Sequence, residues 1–176
     1  MKKISKVTMV VSKIMEVCHF VGVLVMAALL VCSFVIRDAV AEDIANGSLT
    51  VDVYSIMNSS GEVSMAALRV SMVGGMVVLA LMGMVFRNVY LIVKKSKDST
   101  PFCRENVRML KEIGIFSMAV PVLGLIMSVV TTLICGVDKV EISIDMTGFV
   151  MGILVFCLMQ FFAHGAELEE EVDGLV

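Results

Sequence analysis

The sequence predicts an all-α membrane protein, a bundle of four transmembrane helices with a small two-stranded β cap on the external side. Three observations predict it. Of 176 residues, 59% are hydrophobic and only 18% charged, whereas an ordinary soluble domain is about 45–50% apolar. The apolar residues fall into four stretches, each long enough for a membrane crossing of about 20 residues. The Lys and Arg residues gather before the first stretch and between the second and third. The chain therefore reads as one integral membrane domain, residues 1–176, with spans near 14–36, 68–93, 108–135 and 146–165. The formal net charge of −3 averages over unlike regions, so it carries no argument for direct nucleic-acid binding.

Span one follows Lys2, Lys3, Lys6 and Lys13, and in Val17 to Ile36 only His19 and Ser33 are clearly polar. A cleavable signal peptide has an apolar core of about 7–15 residues. This run is longer and reads as a retained helix, with Ala39-Val40-Ala41 leaving cleavage as the alternative. The polar, acidic segment that follows contains Leu49, Val51 and Val53 alternating with Thr50, Asp52 and Tyr54. The loop after span three repeats that period, with Val140, Ile142 and Ile144 alternating with Glu141, Ser143 and Asp145. Period-two alternation is the pattern of a half-buried strand, so these runs pair into the cap or remain loops, since two isolated strands are marginal.

Span two covers Val70 to Phe86 and continues toward Val93, with Arg87 and Asn88 at its boundary. Span three, Ile113 to Cys135, contains Pro121, which removes one helical hydrogen bond that neighbouring groups in a bundle can take up. Span four, Met146 to Ala163, leads into His164 and the acidic tail Glu167 to Asp173. The small residues Gly148 and Gly152, and Gly124, Ser128 and Thr132, are spaced for close helix contact. Orientation follows from Lys and Arg. Eleven lie before span one or around the central connector (Lys2, Lys3, Lys6, Lys13, Arg87, Lys94, Lys95, Lys97, Arg104, Arg108 and Lys111), against Arg37, Arg69 and Lys139 on the other side. Both termini and the connector are thus expected in the cytoplasm, with the chain in the cell membrane.

The connector, Lys94 to Gly114, is the only long polar run rich in Lys and Arg. Thr100 before Pro101 reads as a helix start, because Thr caps free amides and Pro at the first helical position loses no bond. Arg104, Arg108 and Lys111 then share one face, beside the apolar Phe102, Met109, Leu110 and Ile113. Such a face either meets anionic headgroups, at roughly 1 kcal/mol per basic residue, or is a solvated flank.

The run TPFCRENVRMLKEIG resembles the P-F-x-x-E-N-x-x-x-L-x-x-I-G segment of a bacterial four-span membrane family catalogued as a domain of unknown function. The ending GAELEEEVDGLV is similar to that family's G-x-x-L-Q-E-E-x-D-L-T-V. Pro101, Phe102, Glu105, Asn106, Leu110, Ile113 and Gly114 match the first motif, and Gly165, Leu168, Glu170, Glu171, Asp173 and Val176 the second. Together with the four-span layout, the resemblance covers nearly the whole chain. The sequence departs at Glu169, where the family often has Gln, and at Gly174-Leu175, where it usually has Leu-Thr. Members of that family are typically encoded beside a small Cro/C1-type helix-turn-helix regulator, so the resemblance implies a membrane partner of a cytoplasmic transcription factor.

The expected contact residues, for that partner or for lipid, are Pro101, Phe102, Arg104, Glu105, Asn106, Arg108, Lys111, Glu170, Glu171 and Asp173. The acidic tail reads either as a docking strip for a basic protein surface or as a solvated terminus. His19 lies at headgroup level with a functional role as the sharper alternative. Sixteen Met suit Cu(I) only where several converge, and Met is otherwise an adaptable apolar filler. Five Cys without CxxC spacing argue against a disulfide framework or zinc site. We expect a non-enzymatic protein without cofactor or metal, a regulator or sensor, the other class being a small transporter or an immunity-type membrane protein. A transporter needs a polar path at mid-bilayer, and the spans offer little of one. Nothing in the sequence sets an oligomeric state.

Overall fold

The computed structural model describes residues 2–36, 64–97, 100–135 and 146–173. Among the described residues there are four helices and no strand: α1 (Lys2–Val35), α2 (Met65–Lys95), α3 (Arg104–Cys135) and α4 (Met146–Asp173). Each is long and apolar enough to cross a membrane, which marks a multi-pass membrane protein. The runs 49–54 and 140–145, on which a β cap is expected, lie outside the described residues.

Two helices are longer than their spans. α1 starts at Lys2 rather than near residue 14, and α4 continues to Asp173 rather than ending near 165. With 34 residues, α1 covers about 50 Å at 1.5 Å per residue, well beyond a hydrocarbon core of about 30 Å. The extra turns hold Lys2, Lys3, Lys6 and Lys13 in α1 and Glu167, Glu169, Glu170 and Glu171 in α4. Lys and Glu are good helix formers, so leaving the apolar stretch does not end the helix.

Burial is inverted relative to a soluble domain. Leu24, Leu133 and Phe161 are at least 70% exposed, whereas Ser12, Glu16, Ser33, Asn88, Asn106, Thr131 and Thr132 are buried. Large apolar side chains face outward where lipid is the solvent, and polar ones turn inward to find partners.

The residues fall into two compact units. One comprises 21–79 and 122–144, and in it the ends of α1 and α2 are fixed by capping. Ser64 opens α2 by accepting from the Ala67 amide at 3.4 Å through its hydroxyl and from the Leu68 amide at 3.0 Å through its carbonyl. Arg69 then reaches the last turn of α1. Its Nη2 donates to the Ser33 carbonyl at 2.9 Å and its Nε to the Ser33 hydroxyl at 3.4 Å, while the guanidinium lies 3.9 Å above the Phe34 ring. A cation at a helix C-terminus satisfies an orphan carbonyl and the macrodipole together. Gly74 is bare because Met127 of α3 occupies the space of a Cβ. Thr131 and Thr132 donate to the carbonyls of Met127 and Ser128 on their own helix. Among the described residues Gly124 packs on nothing, since it is exposed and none of them lies within 4 Å of where its Cβ would be.

The other unit comprises 1–20, 80–121 and 145–176. Here α4 packs on α3 through Gly148 and Gly152, as their spacing predicts. A Cβ on Gly148 would come within 2.8 Å of the Ser117 carbonyl oxygen and of Pro121 Cδ. Pro121 cannot donate to that carbonyl, four residues earlier, so the proline, its freed acceptor and the bare glycine occur together. Along α1 and α2, the His19 ring lies 5.1 Å from Phe86, and the Met15 carbonyl accepts from His19 Nδ1 at 2.7 Å. His19 is thereby satisfied within its own helix.

Candidate functional site

The site is built on the connector and the polar end of α4, all within one compact unit. α2 ends in Lys94 and Lys95, and the Ser96 amide and hydroxyl both donate to the Ile92 carbonyl, at 2.9 and 2.8 Å. Thr100 and Pro101 do not begin the next helix. Pro101 and Phe102 form a turn, α3 starts at Arg104, and the Asn106 and Val107 amides make its first bonds to the Cys103 carbonyl.

Asn106 explains the difference. It is fully buried, and its Nδ2 donates to the Pro101 carbonyl at 2.9 Å and to the Ser96 hydroxyl at 3.3 Å. One amide thus ties the end of α2, the turn and the start of α3 together, and it needs the Pro101 carbonyl outside the helix. Its Oδ1 is buried without a partner among the described residues. The Thr100 hydroxyl donates to Glu169 Oε2 at 2.7 Å.

That bond belongs to a clasp between the connector and α4. The Phe102 ring sits 5.2 Å from the Phe162 ring, tilted by 57°, and covers Gly165, where a Cβ would meet it at 2.7 Å. Arg104 forks onto Glu170, with Nη2 at 2.6 Å from Oε2 and Nε toward Oε1, the bidentate geometry of strong arginine–carboxylate pairs. The hydrogen bond to Glu170, and then its charge, hold the Arg104 guanidinium above its ordinary pKa. A raised arginine stays charged until the pH climbs through that value, so the pair does not titrate from the arginine side at neutral pH.

The remaining predicted residues are spread over separate contacts. Glu105, in the first turn of α3, pairs with Lys95 of α2. Arg108 Nε donates to Glu112 Oε1 at 3.1 Å, and Asn88 of α2 donates to Glu112 Oε2 at 3.1 Å. Lys111 and Glu171 are exposed, and Asp173 is the last residue of α4. The basic face expected from Arg104, Arg108 and Lys111 is therefore divided. Arg104 turns to the α4 end, Arg108 turns to its own helix, and Lys111 alone has no charged partner among the described residues.

Pro101, Phe102, Arg104 and Glu170 are brought together, joined by Thr100, Gly165 and Glu169, which residue-by-residue reading leaves out of the site. Opposite charge on the connector and the tail is the signal that could have paired them. Glu169, a departure from the resembled pattern, is itself a bonded member of the clasp. Beside it Leu168 and Val172 are exposed, so the surface combines carboxylates with apolar side chains. No group of three or more His, Cys, Asp or Glu that could hold a metal occurs among the described residues.

A family described as "Protein of unknown function (DUF2975)" matches residues 56–176, which takes in α2, α3, α4 and both halves of the clasp but leaves α1 outside. No curated protein and no solved structure matches the chain.

Proposed function

The chain belongs to the DUF2975 family of proteins of unknown function, and from that premise we propose that it is a non-enzymatic plasma-membrane regulator whose working surface is the clasp between the connector and the end of α4. Both termini and the connector lie in the cytoplasm, on the strength of the Lys and Arg distribution. The partner is a cytoplasmic helix-turn-helix transcription factor, the kind of protein that members of the resembled family are encoded beside. The observation that carries the reading is convergence. Two segments far apart in sequence meet on one polar surface, through Thr100, Phe102 and Arg104 on one side and Gly165, Glu169 and Glu170 on the other.

Surface charge of this kind sets encounter rate and register more than affinity. Glu171 and the exposed Leu168 and Val172 offer a partner new contacts, while Glu170 is available only when Arg104 releases it. Replacing Glu170, Glu171 and Asp173 with Ala leaves membrane insertion intact and weakens recovery of the neighbouring regulator from solubilised membranes, and raising salt weakens it further. Recovery of no such regulator, with an unchanged transcript profile in a deletion strain, contradicts the reading and favours the transporter or immunity class. Tags at Met1, after Lys97 and at Val176 report the cytoplasm; an external signal from the Lys97 site reverses the orientation.

A further inference from the structure

Between α2 and α3, in the same unit as the clasp but separate from it, lies a cavity of about 370 Å³ whose polar lining is Arg87, Asn88, Glu105, Arg108 and Glu112. Its size falls within the roughly 300–1,000 Å³ of small-molecule sites. The lining holds two Arg and two Glu, and with Lys95 beside it the local sum is one positive charge. Glu105 is taken by Lys95, and Glu112 by Arg108 and Asn88, whereas Arg87 makes no ion pair or hydrogen bond among the described residues. Asn88 is buried at 4% exposure, and its amide and the largely exposed Arg108 guanidinium meet on the Glu112 carboxylate.

The first charged residues met along two apolar spans put this cavity near the connector ends of those spans. On α2, Arg87 ends the apolar run Val70 to Phe86, which covers about 26 Å at 1.5 Å per residue, close to a core of about 30 Å. On α3, Arg108 and Glu112 immediately precede the apolar run that begins at Ile113. Met84, Leu91 and Met109 supply the apolar part of the lining. Two guanidiniums with one uncompensated positive charge, beside apolar side chains and at headgroup depth, match a phosphodiester attached to a hydrocarbon chain.

The geometry points to a glycerophospholipid headgroup site in this cavity, with Arg87 and Arg108 on the phosphate, Asn88 and Glu112 beside Arg108, and the first acyl carbons against Met84. Arginine suits this task because its planar fork matches phosphate oxygens two at a time. The site does not depend on the regulatory reading. A chain that retains the lipid but captures no regulator separates the two, and so does the reverse.

The test uses the full chain in dodecyl maltoside, measured by native mass spectrometry against dioctanoyl-phosphatidylglycerol, inorganic phosphate and dioctanoylglycerol. Phosphatidylglycerol binds saturably at one equivalent. The double variant Arg87→Gln, Arg108→Gln lowers its affinity by about tenfold or more, as expected for losing two charge-assisted contacts, and Lys6→Gln, a basic residue outside the cavity, matches the unaltered chain. In a second measurement that needs no variant, phosphatidylglycerol raises the melting temperature of the unaltered chain, while phosphate and dioctanoylglycerol at the same concentration do not. Equal binding or stabilisation by inorganic phosphate overturns the lipid source. Equal binding by dioctanoylglycerol, or undiminished binding of phosphatidylglycerol by the double variant, overturns the role of the arginines.

Discussion

The chain from the connector through α3 meets α4 in two regions, by different physics. At Gly148 and Gly152 the helices approach until backbone touches side chain, with Pro121, Met118 and the Ser117 carbonyl where any Cβ would stand. At Gly165 to Glu170 one aromatic ring covers a bare glycine, and beyond it the contact is a hydroxyl–carboxylate bond and an exposed arginine fork. The first region has no neighbouring arrangement to relax into, because interiors packed to crystal density resist even small volume changes. The second exchanges its bonds for water at little loss, because exposed ion pairs contribute little and are screened by salt. The seam fixes the fold, and the clasp is the part that can open.

The largest effect should come from the seam. Gly152→Leu places a side chain into Met118 and close to the Gly114 carbonyl, which costs about 3 kcal/mol at the upper end of overpacking and lowers the melting temperature in detergent accordingly. Asn106→Ala comes next. It leaves the Pro101 carbonyl and the Ser96 hydroxyl without their donor, at about 1–3 kcal/mol for buried groups left unsatisfied, partly offset because the unpartnered Oδ1 goes too. The same variant should hasten proteolysis of the connector. Phe102→Ala removes the ring pair with Phe162, about 0.5–1.5 kcal/mol beyond area burial, and exposes Gly165 while leaving the seam intact. Glu170→Ala should barely move the melting temperature, yet it should loosen the clasp. A fall in stability from Glu170→Ala as large as that from Gly152→Leu would erase the distinction between the two regions.

The four helices were legible because apolar length is a strong signal, and the Gly148–Gly152 seam was legible because small residues four apart share a helix face. The helix ends were not. Lys2 to Lys13 and Glu167 to Asp173 look like flanks when hydropathy sets the boundary, although their residues favour helix. Thr100-Pro101 carries a convincing local start signal, and it was overridden by Asn106, whose demand for the Pro101 carbonyl cannot be read from neighbours in sequence. The basic stripe of Arg104, Arg108 and Lys111 dissolved for a similar reason, because the partner of Arg104 lies on another helix. Gly124 has the right spacing for packing but no neighbour to pack on among the described residues. Of the candidate site, the motif residues were legible as two separate strips; their meeting was not, since it depends on how α4 runs back past α3.

That meeting is the claim to test most directly. Cysteines placed at Thr100 and Glu169, in a chain whose native Cys103 is changed to Ser, should be bridged by a short thiol cross-linker in intact membranes. The yield should fall at high salt and with Glu170→Ala, because Arg104 then loses its hold on the end of α4. The melting temperature, which reports the seam, should barely respond to Glu170→Ala. Absence of bridging between positions 100 and 169 under every condition, or a yield indifferent to both salt and Glu170→Ala, would contradict the clasp.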